Sequence, residues 1–181
     1  VTFWAFSTEN WKRDEEEIRA IFDIFRMGLS TLAIRLIQSG AKFRLLGDIN
    51  KFPKDIAQKS LDLITKSKCN TAITTTFALN YGGRDEILRA VKKIVKDKRK
   101  PEEITEKVFG SYLDTAGIPD PDLIIRTGGE KRLSGYLPWQ SVYAELYFTD
   151  TLFPDFSPKE LDKAIDEFGN RDRRFGGDSV P

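Results

Sequence analysis

"TAITTTFALNYGGRDEILRAVKKIVKDK", residues 71–98, changes its period part-way along. Thr71 to Leu79 is β-branched and aromatic, the composition of a buried strand. Asn80-Tyr81-Gly82-Gly83 is turn chemistry. From Asp85 to about Lys98, Ile87, Val91, Ile94 and Val95 return at helical spacing. A strand that passes through a glycine turn straight into a helix is half of a crossover unit, and the flanking sequence repeats the alternation.

Upstream, Val1 to Phe6 reads as a strand, and a helix follows Asp14. Its apolar positions are Ile18, Ile21, Phe22, Phe25, Leu29, Leu32, Ala33 and Leu36, with a stop at Ser39-Gly40. Phe43 to Leu46 is a strand before Gly47-Asp48, and Pro53 to Lys68 is a helix with Ile56 and Ile64 inward. Downstream, a short helix follows Pro101. Leu123 to Ile125 is a strand ending at Arg126-Thr127-Gly128-Gly129, and Glu145 to Phe148 is the last strand. Ser157-Pro158-Lys159-Glu160 has the spacing of a capping box, opening a helix through Leu161, Ile165 and Phe168.

This order predicts an α/β fold: a mainly parallel central sheet with helices on both faces, in a single domain over residues 1–181. The chain opens at Val1 inside a strand, which leads us to expect a strand missing upstream.

Composition narrows the chemistry. The 181 residues are 40% hydrophobic and 31% charged, enough for one sizeable core. A net charge of +1 gives no footprint for nucleic acid. No apolar run approaches the ~20 residues of a membrane span. A lone cysteine, Cys69, and no secretory leader point to a cytoplasmic setting. The absence of histidine removes serine–histidine and cysteine–histidine catalysis and leaves oxygen ligands, which suit Mg²⁺.

In open α/β sheets ligands bind beyond the carboxyl ends of the strands. That edge would carry Ser7 to Arg13, Gly47-Asp48, Asn80 to Arg84 and Arg126 to Ser134. Glycine pairs at 82–83 and 128–129 would free backbone N–H groups for an anion. Arg13, Arg84, Arg126 and Arg132 add planar donors suited to phosphate. The alternative is ordinary turns with solvated arginines. No Walker or dinucleotide glycine motif is present.

The carboxylates also read two ways. Glu17 is spaced to cap a helix with Asp14, and Glu145 is either a surface edge residue or a ligand for a metal or diphosphate. Asp155 reads as a turn residue. Lys92 to Lys100 reads as a solvated face, with weak membrane-surface attraction as the lesser option, and Trp11 and Trp139 read as packing residues at the sheet edge.

"FSTENWKR" (6–13), "LNYGGRDEI" (79–87), "IIRTGGEKRLS" (124–134), "AELYFTDTLFPDF" (144–156) and "RDRRFGG" (171–177) occur in that order. Together they resemble the cis-prenyltransferases, of the bacterial undecaprenyl diphosphate synthase type. The resemblance covers essentially the whole chain. It implies condensation of isopentenyl diphosphate onto an allylic diphosphate such as farnesyl diphosphate, with Mg²⁺, in a homodimer. It also implies peripheral membrane association for the lipid product.

By that resemblance Asn10 takes the catalytic position, as a positioner of water or of a diphosphate oxygen. Ser7, Thr8, Glu9, Trp11, Arg13 and Glu17 contact substrate. Arg126, Arg132, Leu133 and Ser134 form the isopentenyl diphosphate site, and Glu145 associates with Mg²⁺. Arg174, Gly176 and Gly177 resemble a C-terminal segment that reaches the neighbouring subunit. The helix bearing Phe22, Phe25, Met27 and Leu29 is the expected wall of an apolar tunnel, with plain core packing as its alternative.

The family's Asp-Gly-x-Gly-Arg-Trp segment, which supplies its catalytic aspartate, does not occur. Lys131 stands where histidine is frequent, Gly135-Tyr136 replaces Asn-Phe, and Pro138 stands where leucine is common. A non-catalytic accessory subunit of the same family, or an unrelated phosphate-binding α/β module, would be the competing readings.

Overall fold

The computed structural model describes residues 1–174 and 177. The chain forms two compact units, Val1–Gly117 and Ile118–Pro181.

In the first unit the order is β1 (Thr2–Ser7), α1 (Glu15–Ser30), α2 (Leu32–Gln38), β2 (Ala41–Leu46), α3 (Lys54–Ser67), β3 (Ile73–Tyr81), α4 (Gly83–Lys96) and α5 (Glu106–Tyr112). The sheet order is β1-β3-β2 with both pairings parallel. Parallel neighbours require crossovers, and α1 to α3 supply them. Ser7 lies opposite Tyr81 and Leu46 opposite Ala78, so the turns after all three strands share one edge.

The core is built on aromatic rings. Phe6 packs edge-on against Phe52 at 5.3 Å and tilted against Phe22 at 6.0 Å, with Leu29, Phe43, Ile56, Leu63 and Leu79 around them. Removing such a ring costs about 3–5 kcal/mol, so this cluster fixes how α1 and α3 seat on the sheet.

Three expectations are corrected here. The long helix breaks at Thr31, whose backbone leaves helical geometry (φ −121°, ψ −65°). Ser30 and Thr31 each turn their hydroxyl back onto a carbonyl four residues earlier, at 2.6 and 2.8 Å, an arrangement that bends helices. The break rotates the apolar face, so Ala33 is buried and Leu32 is 56% exposed. Met27 also points outward, because it lies on the opposite side of α1 from the buried Phe22 and Leu29. On α4 the buried positions are Gly83, Glu86, Ala90 and Ile94, while Val91 and Val95 are exposed.

Neither predicted capping box forms. Asp14 and Ser157 occupy the N-cap positions without a side-chain bond; Glu17 pairs instead with Arg13, and Glu160 with Lys163.

The second unit holds β4 (Leu123–Arg126), β5 (Glu145–Phe148) and α6 (Pro158–Gly169). β4 and β5 pair in parallel, Leu123 opposite Glu145 and Arg126 opposite Phe148. Arg126 therefore ends its strand while Glu145 begins the neighbouring one. Three residues of extended rise, roughly 10 Å, separate their levels in the sheet. Among the described residues, no helix is long and apolar enough to cross a membrane.

Candidate active site

The loop after β1 is a short 3₁₀ turn, Thr8–Lys12. Asn10 fixes its own loop, because its Oδ1 accepts the Ser7 N–H at 2.7 Å and its carbonyl accepts the Arg13 N–H at 3.1 Å. The amide Nδ2, which has no partner among the described residues, can face a ligand. Arg13 pairs with Glu17 one helical turn on, both half exposed, so Glu17 orients the guanidinium. The Thr8 hydroxyl donates to Glu9 at 3.1 Å. It also lies so close to Gly82 that a Cβ there would meet it at 2.3 Å, which explains why the turn after β3 carries glycine.

Trp11 faces the other way. Its indole packs on Phe6 (5.1 Å), Phe22 (5.8 Å) and Phe52 (5.8 Å), and its N–H donates to Asn80 Oδ1 at 2.7 Å. Asn80 Nδ2 donates to the Asp48 carbonyl at 2.8 Å. Ser7, Thr8, Glu9, Asn10, Trp11, Arg13 and Glu17 are thus brought together on one loop and the first turn of α1. The turns after β2 and β3 brace that loop.

A polar network that the sequence did not reveal lies behind these turns. The buried Glu86 accepts the Tyr81 hydroxyl at 2.6 Å and the Asp114 N–H at 2.9 Å. Asp114 takes both guanidinium N–H groups of Arg89 at 2.6 Å and the Gly47 N–H at 2.8 Å. Burial pushes the Asp114 carboxyl up, but Arg89, the Gly47 N–H and nearby Lys93 outweigh it and hold it below the usual range. Asp114, followed by Asp85, keeps the Arg89 guanidinium above its ordinary value. Glu86 was invisible because a charged residue at an inward position reads as surface.

In the second unit Arg126 reaches across its own loop, donating to the Arg132 carbonyl and to Ser134 Oγ at 3.0 Å. Arg132 pairs with Glu130. Ser134 (φ +50°) and Gly135 (φ +86°) are consecutive left-handed residues, and the Tyr136 N–H closes the turn on Leu133 O at 2.9 Å. Arg126, Arg132, Leu133 and Ser134 are therefore gathered in one exposed loop.

The glycine pair behaves differently from expectation. Gly128 and Gly129 take positive φ, yet their N–H groups donate to Thr151 O and Thr149 O at 2.9 Å. They shape the loop and do not face an anion.

Glu145, at the start of β5, accepts Arg171 Nη1 on Oε2 at 2.8 Å. Arg171 also holds Leu146 O and Glu167, and Arg173 pairs with Asp122 at 2.8 Å. Glu145 thus lies at the opposite end of its strand pair from the Arg126 loop. Of the C-terminal motif, Arg174 pairs with Asp172 at 3.0 Å, and Gly176 falls outside the described residues. Among the described residues no cluster of three acidic or thiol side chains gathers to hold a metal.

The family model for undecaprenyl diphosphate synthase, a prenyltransferase model, matches residues 1–176, running through both units. The chain belongs to the cis-prenyltransferase family. It is 43% identical to the isoprenyl transferase of Clostridium perfringens over 98% of this chain and 72% of that one. It is 46% identical to that of Aquifex pyrophilus over 97% and 75%.

Among solved structures it is similar to a probable undecaprenyl diphosphate synthase from Campylobacter jejuni (TM-score 0.88, 37% identity, 97% of this chain and 82% of that one). It is also similar to lavandulyl diphosphate synthase from Lavandula x intermedia, solved with dimethylallyl diphosphate (TM-score 0.92, 32% identity, 97% and 78%). The protein is an isoprenyl transferase, and its reaction class is cis-prenyl chain elongation.

Proposed function

We propose that this isoprenyl transferase adds isopentenyl diphosphate units to farnesyl diphosphate and releases a long polyprenyl diphosphate of the undecaprenyl kind. In each cycle the allylic carbon–oxygen bond breaks and diphosphate leaves. The isopentenyl double bond then attacks that carbon, and a proton is lost to form the new cis double bond. The observation that carries this reading is the Arg126 loop: a guanidinium anchored to Ser134 Oγ and to the Arg132 carbonyl, with a second arginine, Arg132, in the same loop, in a family of prenyl diphosphate enzymes.

In this reading Arg126, Arg132 and Ser134 bind the isopentenyl diphosphate, since guanidinium and hydroxyl donors match phosphate oxygens. Leu133 packs beside its apolar tail. Asn10 presents Nδ2 to a water or a diphosphate oxygen; a neutral amide has no pKa suited to general-base work, so it orients and does not abstract. Ser7, Thr8, Glu9 and Arg13 line the allylic side. Glu17 aims Arg13, and Trp11 carries the loop from beneath.

Mg²⁺ fits this chain in a limited way. Glu145 offers one carboxylate, with Oε2 already engaged by Arg171. Mg²⁺ commonly binds through one or two carboxylates, several waters and substrate phosphates, so one protein ligand is compatible. When bound it would neutralise diphosphate charge.

The test is to incubate the intact protein with farnesyl and isopentenyl diphosphates and Mg²⁺, and to read product length by mass spectrometry. Undecaprenyl diphosphate is the expected product. Chains that stop after one or two additions would refute the long-chain reading, and no turnover would favour the accessory-subunit alternative. Sedimentation checks the homodimer we also propose, and vesicle co-sedimentation checks the membrane-surface association.

A further inference from the structure

Asn80 stands at an irregularity in the β1–β3 pairing: Phe6 lies opposite Leu79 and Ser7 opposite Tyr81, so Asn80 is the residue passed over. Its backbone is left-handed (φ +50°) and its side chain is 1% exposed. Asparagine tolerates that backbone better than most residues. Both ends of its amide are used on other loops, with Oδ1 accepting the Trp11 indole N–H at 2.7 Å and Nδ2 donating to Asp48 O at 2.8 Å. An indole only donates and a carbonyl only accepts, so the amide has one workable orientation. Aspartate would set a carboxylate oxygen against the Asp48 carbonyl. A longer glutamine would displace both partners.

We propose that Asn80 is a positioning residue for chain elongation, setting the Ser7–Arg13 loop through Trp11 and locking it to the Gly47–Asp48 turn. The inference rests on the reading that this loop carries the chemistry at Asn10. Trp11 is held on one side by the aromatic cluster and at its polar tip by Asn80. Asn10, immediately before it, and Arg13, two residues after it, are presented from that fixed point. Losing the tie leaves the loop attached and folded but free to shift, and a 1 Å misplacement can cost about 100-fold in rate.

The experiment compares Trp11→Phe, Asn80→Gly, their double variant and Asn10→Ala in the intact enzyme, reading kcat, both KM values and the melting temperature. Trp11→Phe keeps one aromatic ring in the cluster and removes the N–H with the rest of the indole, a packing loss that the melting temperature reads. Asn80→Gly keeps a residue at ease with positive φ and removes both bonds. Each is expected to lower kcat by roughly 10- to 100-fold, with KM for isopentenyl diphosphate within about twofold of native. The double variant should be no slower than the slower single, because both changes cut one tie. A fall in melting temperature with kcat near native in both singles would reduce Asn80 to a structural residue and overturn the proposal. Multiplying losses in the double variant would overturn it too. Asn10→Ala separates the two levels. If it lowers kcat while the Asn80 and Trp11 variants do not, only the positioning role fails; if it leaves kcat unchanged, the loop reading falls and this inference with it.

Discussion

Arg171 Nη1 lies 2.8 Å from Glu145 Oε2, so the carboxylate we propose for Mg²⁺ is held by the segment that follows α6. The same guanidinium reaches Glu167 and Leu146 O, and Glu145 raises its affinity for its proton. A cation at Glu145 has to share or displace Arg171. The C-terminal segment therefore has a direct bearing on when this carboxylate is available.

Glu145→Gln is accordingly expected to lower Mg²⁺-dependent turnover by tenfold or more, a loss of ~1.4 kcal/mol of transition-state stabilisation or greater, while the protein stays folded. Arg171→Gln should shift the Mg²⁺ concentration giving half-maximal rate without abolishing turnover. Steady-state rates against Mg²⁺, with circular dichroism as the folding control, check both. Native Mg²⁺-dependence in Glu145→Gln would remove the metal role from this residue.

Arg126→Ala is expected to weaken isopentenyl diphosphate binding by roughly 10- to 100-fold, because a charge-assisted hydrogen bond is worth ~1.5–3 kcal/mol. Lys98 is the control: it is exposed and outside the loop, and a surface charge of that kind is worth only ~0–1 kcal/mol. Calorimetric titration of Arg126→Ala, Arg132→Ala and Lys98→Ala with isopentenyl diphosphate reads the difference. Equal small effects across the three would leave the Arg126 loop without a special role.

What the sequence made legible was local. Residues 71–98 declared a strand, a turn and a helix because their period changes within one window. The Arg126–Ser134 cluster could be found because its members lie within nine residues of chain. The helix break was hidden because apolar spacing runs on through Thr31, and only the back-bonding hydroxyls of Ser30 and Thr31 reveal it. Long-range partners were hidden for a different reason. Arg171 is 26 residues from Glu145, and Trp11 is 69 from Asn80, so no spacing rule joins them. Glycine was read for its freedom alone, and the pairing of Gly128 and Gly129 N–H groups with Thr151 and Thr149 carbonyls became visible only with the register of β4 on β5.

The Arg89–Asp114 pair gives the protein an acid-sensitive brace. Asp114 is only 12% exposed, binds Arg89 through two bonds and also holds the Gly47 N–H. Breaking a buried pair by removing one partner costs ~3–5 kcal/mol, and the residual exposure here argues for the low end. Asp114→Asn should therefore lower stability at neutral pH by about 3 kcal/mol, read from denaturant midpoints. The sign with pH follows from the depressed folded-state pKa. The contribution is fully present above the unfolded carboxylate value near ~4 and is lost as pH falls through the lower folded value. Arg89 stays charged throughout this range, so Asp114 alone sets the window. The stability gap between native and Asp114→Asn proteins should hold steady from pH 7 to about 5 and then close below about 4. A gap that stays constant down to pH 2 would show that Asp114 contributes through hydrogen bonding to the Gly47 turn and not through its charge.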